Sequence, residues 1–295
     1  MFQRPIKYDE PVFRPPAEAN SAIIQATLGC SWNKCAFCEM YTSKTFRVRK
    51  FADLQTDIKE LAKYYQGVKK VFLADGNAFV LSANNLIPIL QEINTTFGKL
   101  QRISSYALPK DILNKSSEEL KELRNLGIKL LYIGIESGDD ELLKLIHKSE
   151  TCNSTIDGIL KAQDAGIDVS VMVLNGLGGK KYSEQHALNS AKLISLTKPK
   201  FLSSLTLSFP FGQNHYKGKF NGEYIPQTIV ELAKELRLLI ENTDTNGTIF
   251  RSDHVSNNLV LKGILSKDKE ELINTINRAI ETIDPNQFPS TPGML

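Results

Sequence analysis

From residue 21 to about 210 the chain alternates short apolar runs with amphipathic stretches. Residues 23–28, 70–74, 102–107, 130–136, 169–174 and 201–209 have the length and hydrophobicity of buried strands. Between them lie helical patterns. Leu86, Ile87, Ile89, Leu90 and Ile93 recur at helical spacing within residues 83–96. Ser116 and Glu119 form a capping-box signature ahead of Leu120, Leu123 and Leu126, and Gly127 predicts the stop. Gly166 repeats that device before the next strand. Six strands separated by helices predict parallel β/α units, because parallel neighbours need crossovers. Strands this apolar are expected to be buried on both faces. The pattern alone does not separate an open doubly wound sheet from a barrel. In either, ligands gather at the C-terminal ends of the strands.

Beyond residue 210 the pattern changes. A polar, glycine-bearing stretch runs to Tyr224, and a strong helix follows with Pro226 near its first turn. Ile229, Leu232, Ala233, Leu236, Leu239 and Ile240 share one face of that helix. A loop over 250–258 and a last helix from about 267 to 283 complete a C-terminal helical cap. The expected organisation is an N-terminal extension over 1–20, a core over 21–210 and the cap region over 211–295.

Composition narrows the setting. The chain of 295 residues, 41% hydrophobic and 23% charged, reads as an ordinary soluble protein with a sizeable core. A formal charge of +3 gives no reason to expect nucleic acid. The N-terminus reads as polar and proline-bearing, without a signal peptide, and no apolar run approaches the roughly 20 residues of a membrane span. Four cysteines, three of them crowded together, do not make a disulfide framework, so a cytoplasmic location is expected.

The crowded cysteines carry the chemistry. Cys30, Cys35 and Cys38 follow the first predicted strand, where a catalytic loop belongs. Three thiolates on one loop suit a metal centre, and three rather than four leave an iron–sulfur cube with one iron lacking a protein ligand. The competing reading is structural zinc. Cys35-x2-Cys38 is one knuckle, but Cys152 stands alone and the four histidines are scattered.

This segment resembles the cluster-binding loop of the radical S-adenosylmethionine superfamily. The resemblance implies that Cys30, Cys35 and Cys38 bind a [4Fe–4S] cluster whose fourth iron is chelated by S-adenosylmethionine. It implies further that reduction cleaves the sulfonium to a 5′-deoxyadenosyl radical, which abstracts hydrogen from a substrate. The family's usual spacing is Cys-x3-Cys-x2-Cys, whereas this chain has one more residue in the first gap. Phe37 matches the aromatic residue before the last cysteine, placed against adenine. Asp75, Gly76 and Asn77 stand where the family has a Gly-Gly-Glu-like turn for the methionine amino group, with one glycine matching and no glutamate. Glu136 and Ser137 look like the glycine–glutamate–serine segment that faces ribose or the amino-acid moiety. Gly176 lies where backbone approaches the adenine. The resemblance covers residues 21 to about 210, and it tips the fold class to α/β as a partial (β/α)6 barrel.

Two polar groups fall outside those motifs. Lys44, Arg47, Arg49 and Lys50 form a basic cluster; Arg47 and Arg49 are candidates to contact an acidic substrate, the cofactor carboxylate or an acidic electron donor such as flavodoxin or ferredoxin. Arg251, Asp253 and His254, with Ser256, Asn257 and Asn258, suit a loop over the barrel mouth. There Asp253 and His254 are candidates for proton transfer and Arg251 for substrate contact. Cys152, His147 and His186 read as structural.

The expected function is therefore radical initiation from S-adenosylmethionine on a small-molecule substrate. No second cysteine triplet is present for an auxiliary cluster, which argues against methylthiolation, and some 20 residues ahead of the core leave no room for a cobalamin domain. Aminocarboxypropyl transfer from S-adenosylmethionine, or a non-enzymatic iron–sulfur or zinc protein, are the alternatives.

Overall fold

The protein is described by a computed structural model covering residues 5–289. Residues 1–4 of the expected extension and 290–295 of the expected cap lie outside the described residues. The strands are β1 (Ala22–Gln25), β2 (Thr27–Leu28), β3 (Arg47–Val48), β4 (Lys70–Ala74), β5 (Arg102–Tyr106), β6 (Ile128–Glu136), β7 (Asp168–Asn175), β8 (Phe201–Thr206), β9 (Ile249–Arg251) and β10 (Lys262–Ile264). The helices are α1 (Phe51–Tyr64), α2 (Ala83–Phe97), α3 (Pro109–Leu113), α4 (Ser117–Asn125), α5 (Asp140–Leu145), α6 (Cys152–Asp164), α7 (Gly179–Thr197), α8 (Gln213–Lys219), α9 (Ile229–Asn242) and α10 (Leu265–Thr282). Eight strands belong to one sheet, and β2 with β3 form a separate pair. No helix among the described residues is long and apolar enough to cross a membrane.

The chain divides into two compact units. The first holds the described residues up to 33, with 40–133 and 157–169. Its strands run in the order β1-β4-β5-β6, parallel throughout, with Ile24 beside Leu73, Phe72 beside Ser104 and Tyr106 beside Tyr132. The rings of Phe72, Tyr106 and Tyr132 stack edge-on, the first two with centroids 5.2 Å apart. A fully buried carboxylate, Glu18, accepts from Tyr132 Oη (2.7 Å) and Arg102 Nη2 (2.6 Å), which satisfies its charge and ties the N-terminal segment to the sheet. Burial, and then the Glu18 carboxylate beside it, push the Tyr132 phenol up.

The second unit holds 34–39, 134–156 and the described residues from 170 onward. Here β7, β8 and β9 are parallel and β10 turns back antiparallel on β9. Its core includes Ala36, Leu142, Ile146, Leu177, Tyr182, Tyr216, Phe220 and Tyr224.

Local signals set the ends of several elements. The Ser116/Glu119 capping box forms, with Glu119 N–H donating to Ser116 Oγ at 3.1 Å and Ser116 N–H to Glu119 Oε2 at 2.7 Å. Gly127, at φ +107°, then turns the chain directly into β6. Other ends differ from the pattern. The first apolar run breaks at Ala26, where β1 stops and β2 leaves the large sheet. The sixth expected strand, β8, ends at Thr206, not residue 209. Helix α9 begins after Pro226, capped by Thr228 and Glu231. Residues 250–251 of the expected loop belong to β9, and β10 follows beyond the loop, so two short strands extend the sheet between α9 and α10. Three-residue strands are too short to show a period in sequence.

Candidate active site

The cysteine loop is closed at its base by β2 and β3, with Thr27 opposite Val48 and Leu28 opposite Arg47. Gly29, at φ +74°, starts the turn out of β2. Asn33 holds the loop from within by donating Nδ2–H to the Tyr41 carbonyl at 2.9 Å. Ala36 N–H donates to the Ile146 carbonyl at 2.9 Å, and Ala36 is buried, which anchors the segment between Cys35 and Cys38. All three loop cysteines are half-buried and outside any disulfide. Among the described residues no three His, Cys, Asp or Glu side chains converge as a ready-made ion site.

The turn after β4 lies against this loop. A Cβ built on Gly76 would stand 2.5 Å from a Tyr41 ring carbon and 3.0 Å from Cys30 Cβ, so only glycine fits. Asp75 is fully buried. Its Oδ2 accepts from Lys44 Nζ (2.8 Å), Gly29 N–H (3.0 Å) and Gln25 Nε2 (3.3 Å). Burial pushes the Asp75 carboxyl up, and Lys44 works against that shift. Asn77, also fully buried, donates from Nδ2 to Asp111 Oδ2 (2.6 Å) and Ser31 Oγ (2.8 Å). Asp75 Oδ1 and Asn77 Oδ1 are buried acceptors with no hydrogen-bond donor among the described residues. Buried acceptors in folded proteins are satisfied, so two on one turn fit a ligand that brings N–H donors. The Cys30 thiol, a soft ligand suited to iron–sulfur centres, belongs to the residue packed against that turn.

Strand β6 ends in the second group. Glu136, at φ +59°, folds its carboxylate back over Gly134, where a Cβ would be 2.0 Å from Oε1. Lys148 Nζ donates to Glu136 Oε1 at 3.0 Å and lies 5.9 Å from the Phe37 ring centroid. The next residue, Ser137, contacts His186 Nδ1 through Oγ at 2.8 Å. On the opposite side of that imidazole, Nε2 is 3.7 Å from Glu235 Oε1. Glu235 in turn accepts from Gly176 N–H (2.6 Å) and Gln227 Nε2 (3.0 Å). Phe37, Glu136, Ser137 and Gly176 thus fall within one unit, and the buried His186–Glu235 contact links Ser137 to Gly176. Burial pushes the His186 imidazole down.

The basic cluster is largely neutralised internally. Lys44 is buried on Asp75, exposed Arg47 pairs with Asp9 at 2.6 Å, and Arg49 pairs with Asp57. The 251–258 loop is pinned to the C-terminal end of β8. Asn257 Nδ2 donates to the Ser204 carbonyl (2.8 Å), and Thr206 N–H donates to Ser256 Oγ (3.2 Å). His254 is half-buried with Nδ1 on Ser256 Oγ at 2.9 Å, and burial pushes its imidazole down. Arg251 and Asp253 are exposed, 4.0 Å apart. Cys152 N–H donates to Asp140 Oδ1 at 2.6 Å.

Sequence reasoning missed Asp111, Lys148 and Glu235. Each is a charged side chain whose partner is remote in sequence. The one local signal was an acidic residue in the first turn of α3, after strand β5.

Residues 24–194 match the family model described as the radical SAM superfamily. A protein of Methanocaldococcus jannaschii named as a methylthiotransferase is 28% identical over 156 residues, which are 50% of this chain and 33% of that protein. GTP 3′,8-cyclase of Marinobacter nauticus is 22% identical over 260 residues, 85% of this chain and 73% of that protein. Coproporphyrinogen III oxidase from Escherichia coli superposes with a TM-score of 0.59 at 16% identity, over 75% of this chain and 52% of that one. The shared fold is the α/β partial barrel. The chain thus spans about a third of the methylthiotransferase and half of the oxidase.

Proposed function

The chain belongs to the radical S-adenosylmethionine superfamily, whose members use a [4Fe–4S] cluster and S-adenosylmethionine, and we propose that it starts its reaction by abstracting hydrogen from a small-molecule substrate. When bound, the reduced cluster and S-adenosylmethionine supply the 5′-deoxyadenosyl radical. In this reading Cys30, Cys35 and Cys38 ligate the cluster through the three thiolates of one loop. Asp75 and Asn77 present acceptor oxygens to the methionine amino group. Phe37 lies along the adenine, Gly176 offers backbone to it, and Glu136 with Ser137 faces the ribose. Arg251, Asp253 and His254 contact the substrate from the C-terminal end of β8, the end at which β/α proteins bind ligands. A reductant of the flavodoxin or ferredoxin class, met by exposed Arg47 and Lys50, supplies the electron, and a cytoplasmic location suits such a partner.

The observation that carries the reading is the pair of unsatisfied buried acceptors on the turn packed against Cys30. The test is anaerobic reconstitution with iron and sulfide, reduction by dithionite, and chromatography of the products of S-adenosylmethionine. Brown protein releasing 5′-deoxyadenosine, with both signals lost in Cys35→Ala, is the expected result. Colourless protein binding one zinc would sink the proposal, and methylthioadenosine in place of 5′-deoxyadenosine would turn it to aminocarboxypropyl transfer.

A further inference from the structure

We propose that Asp111 is a positioning residue: its carboxylate locks the Asn77 amide with the oxygen free to accept from a ligand's amino group. The inference rests on the reading above, which gives this turn to the amino group of S-adenosylmethionine, and adds a residue outside that turn and outside the cysteine loop.

The argument is one of donor and acceptor polarity. An asparagine side chain carries an acceptor oxygen and a donor NH2, which a rotation of the amide exchanges. An ionised carboxylate has only acceptors, so whichever end of Asn77 meets it must be the NH2. Asp111 Oδ2 is 2.6 Å from Asn77 Nδ2, and Ser31 Oγ is 2.8 Å from the same nitrogen. Both amide protons are thereby used, and the orientation is fixed by chemistry. What remains is Oδ1, buried and without a donor among the described residues. Asp111 is itself only 5% exposed and held on α3, directly after β5. Lys115 Nζ donates to the Asp111 backbone carbonyl at 3.0 Å. Two residues upstream, Asp75 is arranged to the same effect. Lys44, Gly29 and Gln25 all bind Oδ2, which leaves Oδ1 unsatisfied. The turn therefore presents two unsatisfied side-chain acceptor oxygens. A primary amino group, which brings N–H donors, meets that demand.

The test uses the reconstituted holoenzyme and measures equilibrium binding of S-adenosylmethionine and of its analogue lacking the amino group. Asp111→Asn has the same shape but lets the Asn77 amide rotate. It is expected to weaken S-adenosylmethionine binding by about ten- to hundredfold while leaving the analogue nearly unchanged. The double variant Asn77→Asp/Asp111→Asn reverses the contact: the residue 111 amide now donates to the residue 77 carboxylate, whose second oxygen accepts. It is expected to recover most of the lost binding. Should Asp111→Asn alone fail to fold, the double variant carries the test by itself. Equal losses for both ligands would indicate a merely structural role and overturn the proposal, as would a double variant that does not bind. A wild-type holoenzyme that holds iron but binds neither ligand would overturn the site reading itself. That result is distinct from a defect confined to the variants.

Discussion

The Glu136 carboxylate lies over the α-carbon of Gly134, close enough that a Cβ there would stand 2.0 Å from Oε1. Glu136 reaches this position by a left-handed backbone at φ +59° and is held there by Lys148. Gly134 is the bare surface that makes room. Gly134→Ala would force the carboxylate away from Lys148, while the strand itself gains a residue better suited to it than glycine. The expected outcome is unchanged iron uptake and a melting temperature near that of wild type. Binding of S-adenosylmethionine by the reconstituted protein should fall about tenfold, as for loss of one charge-assisted contact. Unchanged binding would remove Glu136 from the cofactor site.

Lys44 and Asp75 form the most buried ion pair of the site, with side chains 4% and 0% exposed. Lys44→Met would leave the aspartate without its cation, and breaking such a pair costs about 3–5 kcal/mol. The sign of the pH dependence follows from the aspartate. Its folded pKa is already raised by burial and rises further without Lys44. Between its unfolded value and that raised value the folded state holds a proton that the unfolded state has released. Stability of the variant is therefore lost as pH rises through the window and regained on acidification. Urea midpoints of Lys44→Met and of wild type at pH 7.5 and pH 5.5 check this by difference, because the buried histidines act alike in both; a variant whose midpoint falls on acidification as much as that of wild type would contradict it.

How far the sequence carries the structure depends on the range of the interaction. Strand β4 and the Asp75-Gly76-Asn77 turn are legible because an apolar run and its glycine end are local facts. Gly127 and Gly166 are legible as stops for the same reason. Asp111 is 34 residues from Asn77, and Glu235 is 59 residues from Gly176. No periodicity links such pairs; only the placing of neighbouring strands does. Strands β9 and β10 stayed hidden because each has only three residues, one of them charged (Arg251 and Lys262), and carries no hydrophobic alternation. The role of Lys44 inverted between sequence and structure. In a run of cations it reads as a solvated charge, yet it is the buried partner of Asp75.

Cys152 separates the loop cysteines from a bystander. Its thiol is pushed up by burial and by the Asp140 carboxylate, and a thiol kept protonated is a poor iron ligand. Cys152→Ala should therefore keep the iron and sulfide content and the visible absorption of the wild type after reconstitution. Single alanine variants of Cys30, Cys35 and Cys38 should each lose both. Iron loss in Cys152→Ala would make it a ligand and close the open corner that the proposed function needs.

His186 predicts the opposite pH slope to the Lys44 variant. The imidazole is wholly buried, Ser137 binds Nδ1, and the Glu235 and Asp139 carboxylates oppose the burial that pushes its pKa below 6.5. The unfolded chain therefore takes up a proton near pH 6.5 that the folded protein still refuses. Stability contributed by the neutral ring is present above that value and is lost as pH falls below it. His254, pushed down in the same way, adds to the same slope, so the contribution of His186 is read by difference. His186→Gln should be less stable than wild type at pH 7.5, because the Ser137 contact is disturbed. It should also lose less of its stability between pH 7.5 and pH 5.5, as urea midpoints at the two pH values would report. An unchanged slope would mean that folding does not shift the ring's pKa and would contradict the reading. A variant that loses more stability than wild type on acidification would mean that the ring is protonated in the folded protein and paired with Glu235.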